Sequence, residues 1–303
     1  MRTDRYRKLI YEEFAKKARA EGLEWIVLHG IEGYPESIGR DLDSYCVDGD
    51  TITKACELFE KVAMDKEDTL YVIYPNPLWG KRVLAISQNY EVAELHVLYR
   101  INTGIVSYTP DWSKMEYLYD FPYEKGAMEF KSIVMSLLGN NIKTVNRMEA
   151  EGLSYYNSTL KSAYYNLKEY GKISKKDRIC IYLKYCTSPV QVVKSLKYSL
   201  KVKAERKNCG TVPIICFKNY SEDAFLELKD RIFEVFTDFE CADDKNVDWM
   251  VLHTARQEFV YTTGRLVENA VEIDLSDVDM AARRIVEAFR NYNIKNRDAV
   301  FEP

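Results

Sequence analysis

Long apolar runs are absent. No stretch of the 303 residues approaches the ~20 consecutive apolar positions that a membrane-crossing helix requires, so no helical span and no membrane partner is expected. The N-terminal stretch MRTDRYRKLIYEEF lacks the apolar centre of a secretory signal, and a cytoplasmic location is expected. Cysteine is present seven times, at Cys46, Cys56, Cys180, Cys186, Cys209, Cys216 and Cys241. An odd number without C-x-x-C spacing argues against a disulfide framework and against a zinc site, leaving reduced thiols. With three histidines and no H-E-x-x-H, a zinc hydrolase is not supported. The motifs G-x-x-x-x-G-K-[ST], G-x-G-x-x-G and G-x-S-x-G are all missing, which removes the P-loop, dinucleotide and serine-hydrolase readings. The net charge of −4 supplies no global basic field to recruit nucleic acid.

What is there begins with WIVLHGIEGYPESIGRDLDSYC, residues 25–46. The run Trp25 to Leu28 predicts a buried strand ending at His29-Gly30. After a loop rich in Gly, Pro and Ser, Asp41-Leu42-Asp43 opens a second strand. Strand residues i and i+2 share a face, so Asp41 and Asp43 stand side by side while Leu42 turns to the core. Two such carboxylates repel unless a cation lies between them, and Mg²⁺ prefers hard carboxylate and phosphate oxygens. Further on, Val92-Ala93-Glu94-Leu95-His96-Val97 alternates as a strand with Glu94 and His96 on one face; Glu91 is the competing third carboxylate. His29 and His96 lie where they could hydrogen-bond this region.

Hydrophobic strand, Gly, spacer, Asp-x-Asp and a later carboxylate strand together resemble the nucleotidyltransferase superfamily, with its polymerase β-like fold. The likeness runs over residues 20 to 110, and more loosely extends to members encoded with bacterial surface-polysaccharide genes. The family's Gly is normally followed by Ser or Gly; here Ile31 follows Gly30. The resemblance implies a Mg-dependent enzyme that moves a nucleoside monophosphate from a nucleoside triphosphate to a hydroxyl or phosphate acceptor. Asp41, Asp43 and Glu94 would be its catalytic and metal-binding carboxylates. Gly30 would allow backbone to approach phosphate, with Arg40, Lys81 and Arg82 as phosphate contacts. Arg40 paired simply with Asp41 is the alternative. A protein that binds a nucleotide or sugar nucleotide on a retired fold of this kind remains the second function, and Ile31 favours it.

The fold class expected is α+β, in three parts. Residues 1–126 form a mixed-sheet nucleotidyltransferase-like domain. Residues 127–207 form a helical domain whose many Lys and Arg either are solvated or wall an anionic cleft. Residues 208–303 form a small α/β unit of open role, joined through a linker at Lys207 to Thr211. Helices are expected over 3–21, 53–63, 128–138, 154–170, 177–186, 189–200, 221–236 and 277–292, the last capped by Ser276. Strands are expected over 69–74, 82–87, 92–101, 212–217, 249–253, 259–263 and 270–275, besides the two that flank the Gly30 loop. The aromatic segment 108–126 is read as an irregular cover over a sheet face.

Overall fold

The structure is a computed structural model, and it describes residues 3–75, 80–103, 105–185, 189–208, 212–242, 258–264, 267 and 270–297. Its architecture is mixed α/β, built on a seven-stranded mixed sheet. Helix α1 (Thr3–Ala20) leads into β1 (Trp25–His29), which pairs antiparallel with β2 (Asp41–Cys46). Helix α2 (Gly49–Met64) starts where Asp48 accepts the Thr51 N–H at 2.7 Å, four residues before the apolar periodicity alone places it. Strands β3 (Thr69–Ile73), β4 (Gly80–Ser87) and β5 (Val92–Leu98) follow, and β5 inserts parallel to β2. A small hairpin, β6 (Ile101–Thr103) and β7 (Val106–Tyr108), stands apart. The aromatic segment is more regular than expected: β8 (Glu116–Leu118) and β9 (Phe121–Tyr123) join the sheet beside β1, giving the order β3-β4-β5-β2-β1-β9-β8.

One face of this sheet is mostly apolar. Val27, Leu42, Val83, Ala85, Ala93, Leu95 and Val97 pack there against Phe14 of α1 and Phe59 of α2. The other face is divided. Ile73, Leu84, Ile86 and Val92 belong to the core of the C-terminal unit, and Ile26, Leu28 and Leu98 to the core of the helical region.

The helical region begins with α3 (Lys125–Glu129), which passes through a π-helical turn, Phe130–Val134, into α4 (Met135–Leu138). Helices α5 (Lys143–Glu151), α6 (Ser158–Tyr170), α7 (Lys175–Tyr185) and α8 (Pro189–Asn208) complete it. The linker expected at Lys207 to Thr211 therefore overlaps a helix end, and 209–211 lie outside the described residues. In the C-terminal unit β10 (Ile214–Lys218), α9 (Glu222–Ile232), β11 (Asp238–Cys241), β12 (Glu258–Thr262), β13 (Val271–Asp274) and α10 (Val278–Asn293) form a four-stranded parallel sheet, order β11-β12-β10-β13, with its helices. The strand expected at 249–253 lies outside the described residues, and β11 was not expected. Asp277, not Ser276, caps α10, accepting the Met280 N–H at 3.0 Å.

Arg7 fastens these parts together. From α1 its Nε donates to the Val92 carbonyl at 2.8 Å, and its Nη2 pairs with Glu234 at 2.6 Å, while Glu234 also accepts the Val92 N–H at 3.2 Å. No helix among the described residues is long and apolar enough to cross a membrane.

Gly30 adopts φ +107°, and a Cβ there would meet the Asp41 carbonyl oxygen at 2.4 Å. The close approach this glycine permits is thus to the backbone of β2. Gly30→Ala is expected to destabilise the fold by ~2 kcal/mol or more; urea denaturation of the variant beside the parent measures it.

Candidate active site

The polar strip lies in the gap between the two cores on the divided face. Along β5 that face reads Val92, Glu94, His96, Leu98: apolar under the C-terminal unit, polar in the middle, apolar again under the helical region. The parallel register sets Asp41 against Glu94 and Asp43 against His96. The antiparallel register sets Arg82 of β4 against His96, and Lys81 against Val97. Tyr11 of α1 pins the strand starts from behind. Its hydroxyl donates to the Arg40 carbonyl at 2.5 Å and accepts the Glu94 N–H at 2.7 Å.

Asp41, Asp43, Glu94, Arg40 and Arg82 are brought together here. Glu94 is 3% exposed; Arg82 donates to its Oε1 through Nε, at 2.6 Å, and through Nη2, and Arg40 lies 4.0 Å from Oε2. Arg40 therefore pairs with Glu94, where its neighbour Asp41 was the expected alternative. Asp43 takes His96 Nδ1 on Oδ1 at 2.8 Å and Lys131 Nζ on Oδ2 at 3.1 Å. Burial alone would raise its pKa, but Lys131 and His96 outweigh that and hold it far below the usual carboxylate range. Asp41 makes no ion pair with any described residue. Its pKa is raised, first by burial and then by the charges of Asp43 and Glu94.

Lys81 and Gly30 are placed differently from expectation. Lys81 points to the apolar face, its ammonium 5.8 Å from the Tyr74 ring centroid, because it alternates with Arg82 along β4. It is not brought to the carboxylates. The Gly30 N–H donates to Glu32 Oε2 at 2.8 Å, and the same carboxylate pairs with His29. Burial opposes protonation of His29, yet Glu32 outweighs it and moves that pKa up. Glu91 sits just before β5 and bonds the Ser87 hydroxyl at 3.4 Å, away from the strip.

Two pockets open beside Asp43 and share Lys131 and Met135. The larger, about 560 Å³, is lined by His29, Lys131, Lys143, Thr144 and Arg147 among others. Lys143 and Arg147 make no ion pair with a described residue, so the pocket carries uncompensated positive charge suited to an anion. The smaller, about 290 Å³, lies over His96, Leu98, Arg100 and Asn102. None of Lys131, Lys143, Arg147, Arg100 and Asn102 was singled out from the sequence. The basic residues noted there lie further along, from Lys161 to Lys207.

Comparison with family models, with curated proteins and with solved structures finds no match. Function rests on the site itself.

The donor set can be judged on its chemistry. Among the described residues no three His, Cys, Asp or Glu side chains are grouped to hold a metal ion. Glu94 is committed to Arg82. Asp41 and Asp43, hard oxygen donors on one strand face, fit a single ion better than the three carboxylates fit two, since each oxygen of Asp43 keeps a lone pair beyond its hydrogen bond.

Proposed function

We propose that the chain is a nucleotidyltransferase with a polymerase β-like sheet, acting on a nucleoside triphosphate and a hydroxyl or phosphate acceptor. The observation that carries this is the register of β2 against β5, which sets Asp41 and Glu94 side by side and Asp43 two residues on, next to a pocket walled by Lys131, Lys143 and Arg147. Asp41 and Asp43 would hold Mg²⁺, which when bound supplies neutralisation of phosphate charge. The triphosphate lies against Lys131, Lys143 and Arg147, whose ammonium and guanidinium groups draw charge from the leaving pyrophosphate. The acceptor oxygen bonds to the α-phosphorus, the α–β phosphoanhydride bond breaks, and pyrophosphate departs with the electron pair. The acceptor's proton passes to the Asp41 carboxylate oxygen that is not turned to the ion, a carboxylate with no ion pair among the described residues. Glu94 holds Arg82, with Arg40 close by, on the strand face beside Asp41. A role in surface-polysaccharide assembly fits an acceptor of sugar type.

A second reading, binding of a nucleotide without transfer, is favoured by two observations. Glu32 holds the Gly30 amide, and Glu94 is clamped by Arg82. The two readings part in one experiment: nucleotide binding and pyrophosphate release are measured together, with Mg²⁺ and a broad pool of sugar and phosphorylated acceptors. Release above background, dependent on acceptor, is the expected result. Saturable binding with no release transfers the assignment to the binding protein, and absence of both overturns the nucleotide readings. Mg²⁺ alone should also raise the melting temperature of the parent through linkage, and an Asp41→Asn, Asp43→Asn double variant should show no such rise.

A further inference from the structure

Helices α7 and α8, with the turn before them, hold a dense run of basic residues that the carboxylate strip does not use. From Lys172 to Lys201 the chain has eight lysines and arginines and a single acid, Asp177. That acid is buried and taken up by Ser162, Asn166 and Ser174. What this segment shows to solvent is therefore cationic throughout, in a chain whose net charge is −4. None of these cations lines either pocket beside Asp43, so they do not wall the cleft there. Charge segregated in this way points to an anionic partner.

The same helices leave apolar side chains outside. Ser195 and Tyr198 mark the buried face of α8, which packs on β6 and β7. At roughly 100° per residue, Val193, Leu196 and Leu200 fall within about 60° of one another on the outer side. Lys194, Lys197 and Lys201 form a second row beside them, and the two rows together fill an arc of about 160°. All six residues are exposed. Helix α7, which packs on the same β7, repeats the pattern: Ile179 and Leu183 lie one turn apart, with Lys175 and Lys176 to either side. The five apolar side chains are 43% to 77% exposed. Exposed apolar residues scattered singly are ordinary, but a helix face left to water is normally polar along its length.

We propose that the outer faces of α7 and α8 dock on an anionic phospholipid surface. Such a surface answers both rows at once: its headgroups meet the lysines, its acyl boundary takes the aliphatic side chains, and lysine stems reach from one zone to the other. Nucleic acid would satisfy the cations but leave the aliphatic row, which has no ring to stack on a base, in water. A second copy of the chain would bring two cationic faces together. The contact is peripheral and needs no crossing helix; none is present among the described residues. It goes beyond the nucleotide reading and stands without it, because α7 and α8 lend no residue to the pockets beside Asp43.

The experiment is co-sedimentation of the full chain with vesicles of phosphatidylcholine alone and of phosphatidylcholine mixed with phosphatidylserine. Binding to the mixed vesicles is expected to be at least ~10-fold tighter, and to weaken between ~0.1 M and ~1 M salt as the Debye length falls from ~10 to ~3 Å. Lys194→Gln with Lys197→Gln should cost at least ~10-fold in affinity for the mixed vesicles. Leu196→Gln with Leu200→Gln should cost at least as much through the lost apolar contact. Both pairs should keep the melting temperature of the parent, since all four side chains are exposed. If the leucine pair does not fold, Leu183→Gln on α7 is measured for the same loss. No binding to the mixed vesicles, equal binding to both kinds, or affinity that survives either pair of substitutions would overturn the proposal. Binding that needs the lysines but not the leucines, joined by tight binding of a single-stranded oligonucleotide, would assign the face to nucleic acid instead.

Discussion

Asp41→Asn is expected to lower nucleotidyl transfer by at least ~100-fold, the scale of losing a positioned proton acceptor, while the protein folds as well as the parent or better. The two halves of this result come from one circumstance. Asp43 and Glu94 have cations against their oxygens, but Asp41 faces them with no ion pair of its own among the described residues. Its carboxylate is the uncompensated charge of the face, and its pKa is raised by burial and by those two neighbours. A folded-state pKa above the unfolded value means that ionised Asp41 opposes folding at neutral pH. In metal-free buffer at pH 7 the neutral amide should therefore match or exceed the parent in melting temperature. That difference should shrink as the pH falls through the raised pKa toward the unfolded value of about 4. Steady-state kinetics with a fluorescent reporter of pyrophosphate, run beside thermal denaturation of both proteins, checks the pair. Undiminished turnover would remove Asp41 from the chemistry, and a large loss of stability would mean that its carboxylate has a structural partner.

Lys131→Met is expected to act in the opposite way, costing the fold ~3 kcal/mol or more. The methionine keeps the length and apolar stem of lysine but leaves buried Asp43 with only the His96 Nδ1 hydrogen bond among the described residues. Removing half of a desolvated pair strands the remaining charge, and that penalty exceeds the net worth of the intact pair. The pH dependence follows from Asp43, whose folded pKa is depressed by Lys131 and His96 against the effect of burial. A depressed carboxylate contributes stability that is present above its unfolded pKa of about 4 and is lost as the pH falls below it. The parent should therefore lose stability on acidification below about pH 4, and Lys131→Met should be weaker at neutral pH with a shallower acid limb. Chemical denaturation at pH 7, 4 and 3 measures both. Lys131→Arg, which preserves the charge, should retain most of the parent's stability.

Much of the sheet side of this site was legible in the chain. The i, i+2 spacing of Asp41 and Asp43 and the alternation around Glu94 give their shared face directly. Lys81 could not be separated from Arg82 in the same way. Strand β4 is buried on both sides, with Val83 and Ala85 in one core and Leu84 and Ile86 in another. Its alternation of polar and apolar residues, the usual signal of parity, is therefore erased. Lys131, Lys143, Arg147 and Asn102 were hidden for a different reason. Lys131 meets Asp43 from 88 positions further along the chain, and local patterning carries no trace of such a meeting. The helix ends erred by the few residues that caps such as Asp48 and Asp277 govern.

The π-turn at Phe130–Val134 gives the segment an unusual sensitivity. A helix with one residue too many per turn is a wheel set out of phase with its neighbours, and everything after the insertion is rotated by roughly 100° relative to the regular α-helix. Lys131 reaches Asp43 from within that turn. A side chain exchanged there acts only through its own contacts, as Lys131 does through Asp43, whereas a residue lost shifts the phase of all that follows. Removing any one of the five would let the helix close into its commoner form and turn the cation away from its carboxylate, so this stretch should tolerate substitution far better than deletion, although every deleted residue is replaced in space by the one beside it.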